Sequence, residues 1–311
     1  MSESPFPRWF SEALLAPFTH GAVEVDGCSI HYLTWGDPSK PPLVLVHGGA
    51  AHAMWWSILA PQLSHHYYVI APDLSGHGDS GRRKAYSLES WATEVMAVID
   101  VASTSAPVLV GHSMGGLVSI VVAALHGSRL AGAVIVDAPV RKPDPESDEG
   151  KGGKAFRNPK TYPDLETAVQ HFRLIPEQPS EYTFIIEHIA RHSVREGSAG
   201  WTWKFDPAVF ARFPPKSVSH YLRDVKCRVA LMRGEFSVIA PPEAGEYMYE
   251  LLDRNAPIVE IPQAHHHLIL DQPLAFIAAL RALLADWDHS IPRRKATSAD
   301  NATPNSGHEE V

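Results

Sequence analysis

Apolar positions change their spacing along this chain. Residues 23–35 (VEVDGCSIHYLTW) alternate apolar and polar around Asp26-Gly27, a turn dipeptide suited to a two-residue hairpin, so two antiparallel strands are predicted to open the fold. Short unbroken aliphatic runs follow: LVLV at 43–46, YYVIA at 67–71, VLV at 108–110, AVIV at 133–136, RVALM at 228–232 and IVEI at 258–261. Such runs suit strands buried on both faces. Helical spacing between them predicts helices over 55–63, 88–102, 114–125, 242–252 and 273–287. Ser87 is placed to cap the second of these and Pro273 sits in the first turn of the last. Strand and helix in alternation imply an α/β fold with a mostly parallel sheet and helices on both faces.

The alternation lapses between Asp137 and about Val225. A polar stretch, RKPDPESDEGKGGKAFRNPKTYP, gives way there to short helical pieces over 165–174 and 182–192. This is too long for a simple connection. Its many aromatic residues predict a lid over a cleft. The expected organisation is an N-terminal extension (1–22), a core in two parts (23–137 and 226–288), an insertion (138–225) and a polar, aromatic-free disordered tail (289–311).

Composition narrows the function classes. Among 311 residues, 27 Lys and Arg face 35 Asp and Glu for a net charge of −8, and the basic triplets Arg82-Arg83-Lys84 and Arg293-Arg294-Lys295 are isolated. Nucleic acid is therefore not an expected partner. Cys28 and Cys227 are too few and too far apart for a disulfide framework or a zinc site, and both are expected as buried thiols. With neither a signal-peptide pattern at the N-terminus nor a run long enough to span a bilayer, a cytoplasmic protein is expected; the oligomeric state is not legible.

The chemistry concentrates at strand ends. In PVLVGHSMGGL (107–117) a buried strand runs into Gly111-His112-Ser113-Met114-Gly115 and then a helix, the G-x-S-x-G elbow that lifts a serine hydroxyl to the carboxyl edge of a sheet. The helix N-terminus beneath Ser113 favours an anionic intermediate, with the Met114 amide the natural donor. LVLVHGGA (43–50) ends a second strand in a glycine-rich turn whose Gly49 amide, or that of neighbouring Ala50, would be the second oxyanion donor. After the last strand, IPQAHHHLILDQP offers His265, His266 and His267, of which one can be the base. No Asp or Cys completes a metal-ligand set with them, so neither a metal nor an organic cofactor is expected.

With HGG, GHSMGG and HHLILDQP in place, the chain resembles the α/β-hydrolase superfamily over roughly residues 23–288, in its serine-nucleophile, esterase- and lipase-like branch. The resemblance implies an eight-stranded, mostly parallel sheet with a helical cap inserted after the sixth strand. It extends to APDLSGHGDS (71–80), a turn that in the family is structural, which sets Asp73 aside as the acid. The family's base lies seven residues before the proline of its final carboxylate-x-P, and counting back from Pro273 selects His266. The acid departs from the pattern. Where relatives commonly carry G-x-x-D after the seventh strand, this chain has Gly234-Glu235-Phe236-Ser237, and serine cannot replace the charge. Some members place the acid at the end of the sixth strand, which here is Asp137; Glu235 is the alternative.

A serine at position 113 separates the chain from haloalkane dehalogenases and epoxide hydrolases of this fold, which attack with a carboxylate. Acyl transfer is the natural chemistry. Trp55, Trp56, His112, Trp201 and Trp203 are candidates to line a mostly apolar pocket. The expected substrate is a carboxylic ester or lactone of a small to medium apolar compound. C–C bond hydrolysis or amide hydrolysis by the same triad, and a non-enzymatic ligand receptor, are the other readings.

Overall fold

The computed structural model describes residues 5–138, 140, 159–212 and 218–290. The polar stretch after Pro139 and the tail expected from 289 onward fall almost entirely outside them. In chain order the elements are α1 (Arg8–Leu15), β1 (Thr19–Val25), β2 (Cys28–Trp35), β3 (Pro42–Val46), α2 (Ala60–Leu63), β4 (Tyr68–Pro72), α3 (Leu88–Ala102), β5 (Val108–His112), α4 (Met114–His126) and β6 (Gly132–Val136). The insertion contributes α5 (Leu165–Gln170), α6 (Thr183–His192), β7 (Val194–Gly197), β8 (Gly200–Trp203), α7 (Ala208–Arg212) and α8 (Ser219–Arg223). The chain then returns through β9 (Val229–Gly234), α9 (Pro242–Leu251), β10 (Ile258–Ile261), α10 (Leu268–Asp271) and α11 (Pro273–His289).

Eight strands form one sheet in the order β1-β2-β4-β3-β5-β6-β9-β10. The β1–β2 hairpin and the β2–β4 pair are antiparallel, and every other pair is parallel. Each aliphatic run feeds two cores because successive side chains point to opposite faces. Val44 and Val46 pack under α3 and α4, while Leu43 and Leu45 pack with Trp56, Phe276 and Leu280 on the other face. Burial of both faces explains why these strands lack alternation. Ser87 caps α3 by accepting the Ser90 amide at 3.0 Å.

Three local features differ from the expectations. The 55–63 segment is not one helix but a 3₁₀ turn, Ala53–Trp56, followed by the single turn of α2, with Pro61 near its start. The N-terminal extension includes α1, whose Trp9 and Phe10, together with Phe6, pack against Tyr182 and Phe184 at the start of α6. The insertion is not purely helical, for β7 and β8 form a hairpin across Ser198-Ala199. Cys28 is buried as expected, whereas Cys227 keeps partial exposure.

Polar ties fasten the insertion to the sheet. Tyr86 Oη donates to Asp206 Oδ2 at 2.7 Å, Lys204 pairs with Asp79, and Phe205 bridges His77 through the backbone. On α6, His188 Nε2 meets Ser57 Oγ at 2.8 Å, and Ser193 just beyond the helix meets His52 Nε2 at 2.9 Å. Beneath these ties Asp73 fixes its own turn, accepting the amides of Ala53 and Asp79 at 2.6 and 3.0 Å and meeting His31 Nδ1 at 2.8 Å.

Candidate active site

Ser113 stands between β5 and α4 with φ 55° and ψ −120°, a left-handed conformation that strains a non-glycine residue and aims its side chain off the sheet edge. The bend is possible only because its flanks are bare. A Cβ at Gly111 would lie 2.2 Å from Gly115 O, and one at Gly115 would lie 2.4 Å from His47 O. The Ser113 amide donates to Val136 O at 2.8 Å, which ties the elbow to the end of β6.

The loop after β10 brings His266 to this serine. Ser113 Oγ donates to His266 Nε2 at 3.0 Å, and His266 Nδ1–H donates to Asp137 Oδ2 at 2.6 Å. Both His266 and Asp137 are buried. Asp137, with φ 48°, takes two further donors: the Gly234 amide at 3.0 Å and Ser237 Oγ at 2.5 Å. Ser237 itself accepts the amides of Ile239 and Ala240 at 3.2 and 3.1 Å, so its one proton is directed at Asp137. A carboxylate held by three donors is solvated by the protein, which keeps it in one orientation behind the imidazole. Glu235 lies elsewhere, its Oε2 accepting the Gln263 amide at 2.8 Å in the turn ahead of the histidines.

Two more groups steady the loop. His112 does not line the cavity, contrary to the sequence expectation. Its Nε2–H donates to His266 O at 2.8 Å beneath the triad, and burial, the largest influence, pulls its pKa down to about 3, so the ring is neutral. Gln178 of the insertion accepts the His267 amide at 2.8 Å and donates to Asp271 Oδ2 at 3.1 Å. Sequence reasoning passed over Gln178, and no local pattern marks it. Ser237 could have been found from the position it occupies, where relatives carry the acid.

Gly49 and Met114 face each other, since a Cβ on Gly49 would lie 3.8 Å from Met114 Sδ. The Met114 amide opens α4 and has no helical acceptor. His47 shapes the glycine turn, its Nδ1–H donating to Gly48 O at 2.7 Å while Nε2 accepts the Leu74 amide at 3.0 Å.

A cavity of about 230 Å³ adjoins this turn, lined on the core side by Gly49, Ala50, Trp55 and His267 and on the insertion side by residues that include Phe172, Trp203 and Phe205. Trp55 and Trp203 are both part of this lining. Trp56 does not, because its ring has no exposed surface and packs near Phe276 in the core. Trp201 is also absent from the lining. It shares a strand face with Trp203 but lies two residues, roughly 7 Å, farther toward the hairpin end, where its backbone pairs with Tyr162.

His112, His266 and His267 bring three ring nitrogens within 4.8 Å of one another. Among the described residues His112 Nδ1 and both ring nitrogens of His267 have no hydrogen-bond partner, but a metal that also drew on His266 would take that ring from Ser113 or Asp137.

Residues 43–280 match the alpha/beta hydrolase family. The chain belongs to that family. This α/β hydrolase is 36% identical over 102 residues to the 2-hydroxy-6-oxo-2,4-heptadienoate hydrolase of Pseudomonas putida, a stretch covering 31% of this chain and 37% of that protein. It is 25% identical over 136 residues to Epoxide hydrolase 4 of Homo sapiens, covering 43% and 38%. The matched stretch is therefore under two fifths of either relative's length. Among solved structures it is similar to E-2-(acetamidomethylene)succinate hydrolase, with a TM-score of 0.75 at 21% identity over 86% of this chain and all of that one. A thermophilic esterase from Thermogutta terrifontis gives 0.66 at 24%, covering 86% and 99%. At these identities the structural likeness speaks for the fold. Among the described residues no helix is long and apolar enough to cross a membrane.

Proposed function

We propose that this α/β hydrolase is a serine hydrolase that cleaves a carboxylic ester or lactone of a small, largely apolar compound through an acyl-enzyme. The observation that carries this reading is the unbroken chain Ser113 Oγ to His266 Nε2 at 3.0 Å and His266 Nδ1 to Asp137 Oδ2 at 2.6 Å. Ser113 Oγ attacks the carbonyl carbon while its proton passes to His266 Nε2, and the imidazolium is balanced by Asp137. The tetrahedral oxyanion is received by the amides of Gly49 and Met114. Collapse breaks the C–O bond to the alcohol, which leaves with the proton from His266. Water, deprotonated by the same ring, then attacks the acyl-enzyme and releases the acid and free Ser113.

The same residues distinguish this reading from epoxide opening, since a serine ether formed on an epoxide carbon has no carbonyl for water to attack. Ser113→Ala should lower kcat on p-nitrophenyl butyrate by at least about 10³-fold and abolish labelling by a fluorophosphonate. Retained labelling would overturn the assignment. C–C bond hydrolysis is the second reading, favoured by the stretch similar to the Pseudomonas putida enzyme. A screen with vinylogous diketone ring-cleavage products separates the two.

A further inference from the structure

The walls of the cavity differ in charge as well as in origin. The inner end is buried and neutral: Trp55 is buried, and His267 is buried with its pKa held well below the usual histidine value, chiefly by desolvation. The outer end is formed by the insertion, where Lys160, His171 and Arg173 line the same cavity and are exposed. Two other cations of the insertion are neutralised locally. Arg191 is clamped by Glu166 and Glu187, and Lys204 pairs with Asp79. Lys160 and Arg173 have no carboxylate partner among the described residues.

Arg173 is also held in a defined pose. Its Nη1 donates to Gln170 O at 2.9 Å and to Phe172 O at 2.6 Å, which uses both protons on that nitrogen. The opposite edge of the guanidinium, Nε and Nη2, keeps its donors and has the spacing that receives the two oxygens of a planar carboxylate. Anchoring one edge to the backbone reduces the side-chain entropy that an exposed ion pair normally costs. In a chain of net charge −8, two uncompensated cations at the mouth of an otherwise aromatic cavity form a local feature that a neutral substrate would leave unused.

We infer that the outer end of the cavity is an anion subsite, with Arg173 and Lys160 binding a carboxylate carried by the substrate at the far end from its scissile carbonyl. The substrate class is then a half-ester or lactone acid: an apolar middle against Phe172, Trp203 and Phe205, an acyl carbon at Ser113, and a carboxylate at the mouth. This rests on the acyl-transfer reading for the position of the scissile bond, but the subsite itself is a binding property. Lys160, a mobile point charge, contributes less than Arg173.

The test compares p-nitrophenyl half-esters of succinate, glutarate and adipate with neutral p-nitrophenyl esters of matched acyl length. At one chain length kcat/KM should favour the half-ester by about tenfold, the worth of one charge-assisted hydrogen bond at a partly exposed site. Arg173→Gln should remove most of that ratio, Lys160→Gln part of it, and added salt should compress it. Arg254→Gln, an equal change of net charge just beyond α9, where Arg254 pairs with Glu250, should leave the ratio unchanged.

A ratio near unity at every length, a ratio unaffected by Arg173→Gln, or an equal loss with Arg254→Gln would each overturn the subsite. If no ester of either kind were hydrolysed and fluorophosphonate failed to label Ser113, the acyl-transfer reading would fall. The subsite would then be judged by binding in Ser113→Ala protein: a glutarate-induced rise in Tm that disappears with Arg173→Gln sustains it, and no rise overturns it.

Discussion

Asp137 and His266 are nearly without exposed surface, while Lys160, His171 and Arg173, which line the cavity beside the Gly49 turn, are exposed. The sheet edge, through Gly49, Ala50 and His267, and the insertion thus face one space but expose different kinds of side chain to it. Around the triad, placement follows from strands buried on both faces, a glycine-flanked bend, and donors that fix a carboxylate from three directions. The insertion plants Ile185, Ile189, Val209 and Leu222 in the two cores and adds polar ties to Ser57, His52, Asp79 and Tyr86, but the side chains Lys160, His171 and Arg173 that it turns to the cavity are exposed. Close packing gives a precise geometry that tolerates little change, whereas exposed side chains at the cavity can be exchanged without disturbing the core beneath them. On the proposed reading, reaction type belongs to the sheet edge, and substrate choice is shared between it and the insertion.

The largest test of this division lies at the acid. Asp137→Asn should lower kcat by about 10³- to 10⁴-fold in p-nitrophenyl ester hydrolysis, because an amide donating to Nδ1 would stabilise the wrong imidazole tautomer. Glu235→Gln should change it less than about threefold; the reverse ranking would move the acid. Ser237 sharpens the point, since its Oγ lies 2.5 Å from the carboxylate it supports. The double variant Asp137→Asn with Ser237→Asp should recover at least about tenfold of the lost kcat by presenting a carboxylate from the end of β9 instead of β6. No recovery would mean that the backbone around Asp137, not only the charge behind His266, is required.

On the insertion the effects should be smaller and fall on binding. Trp203→Ala should raise KM about five- to tenfold with little loss of kcat, and Trp201→Ala less than about twofold, because only Trp203 lines the cavity. Equal effects would show that the hairpin acts as a unit.

Acid should loosen the ties more gradually. Burial pulls His188 down to about 4 and His52 to about 3, so both are neutral in the folded protein but titrate near 6.5 when unfolded. Between those values the unfolded chain binds more protons, so stability is full above about pH 6.5 and falls as pH drops toward 4, with each buried histidine contributing up to about 1.4 kcal/mol per pH unit. Tm followed from pH 7 to pH 4 should decline, and His188→Gln should make the slope shallower. An unchanged slope would show that protonation of His188 does not load the contact between α6 and Ser57.

Much of the sheet edge was legible because its causes are local. The aliphatic runs name the central strands, Gly-x-Ser-x-Gly needs only its own neighbours to force the bend at Ser113, and Ser87 caps α3 within three residues. The spacing of His266 from Pro273 likewise lies within one short segment. The insertion was less legible. Its β7–β8 hairpin is brief and half-exposed, so burial imposes little periodicity on it, and nothing in the pattern around residues 201 and 203 tells which tryptophan reaches the cavity.

What the chain alone determined was the candidate pair Ser113 and His266 and the sheet that presents them, since hydrophobic period and backbone sterics act between near neighbours. Tertiary structure decided which carboxylate stands behind His266, and that Ser237 and Gly234 hold it, because those partners come from β6 and β9, about a hundred residues apart. It also turned His112 away from the cavity into a brace for the histidine loop, and buried Trp56 while placing an exposed Arg173 in the cavity lining. Such pairings depend on distances closed only when strands far apart in sequence lie side by side, and no local pattern records them.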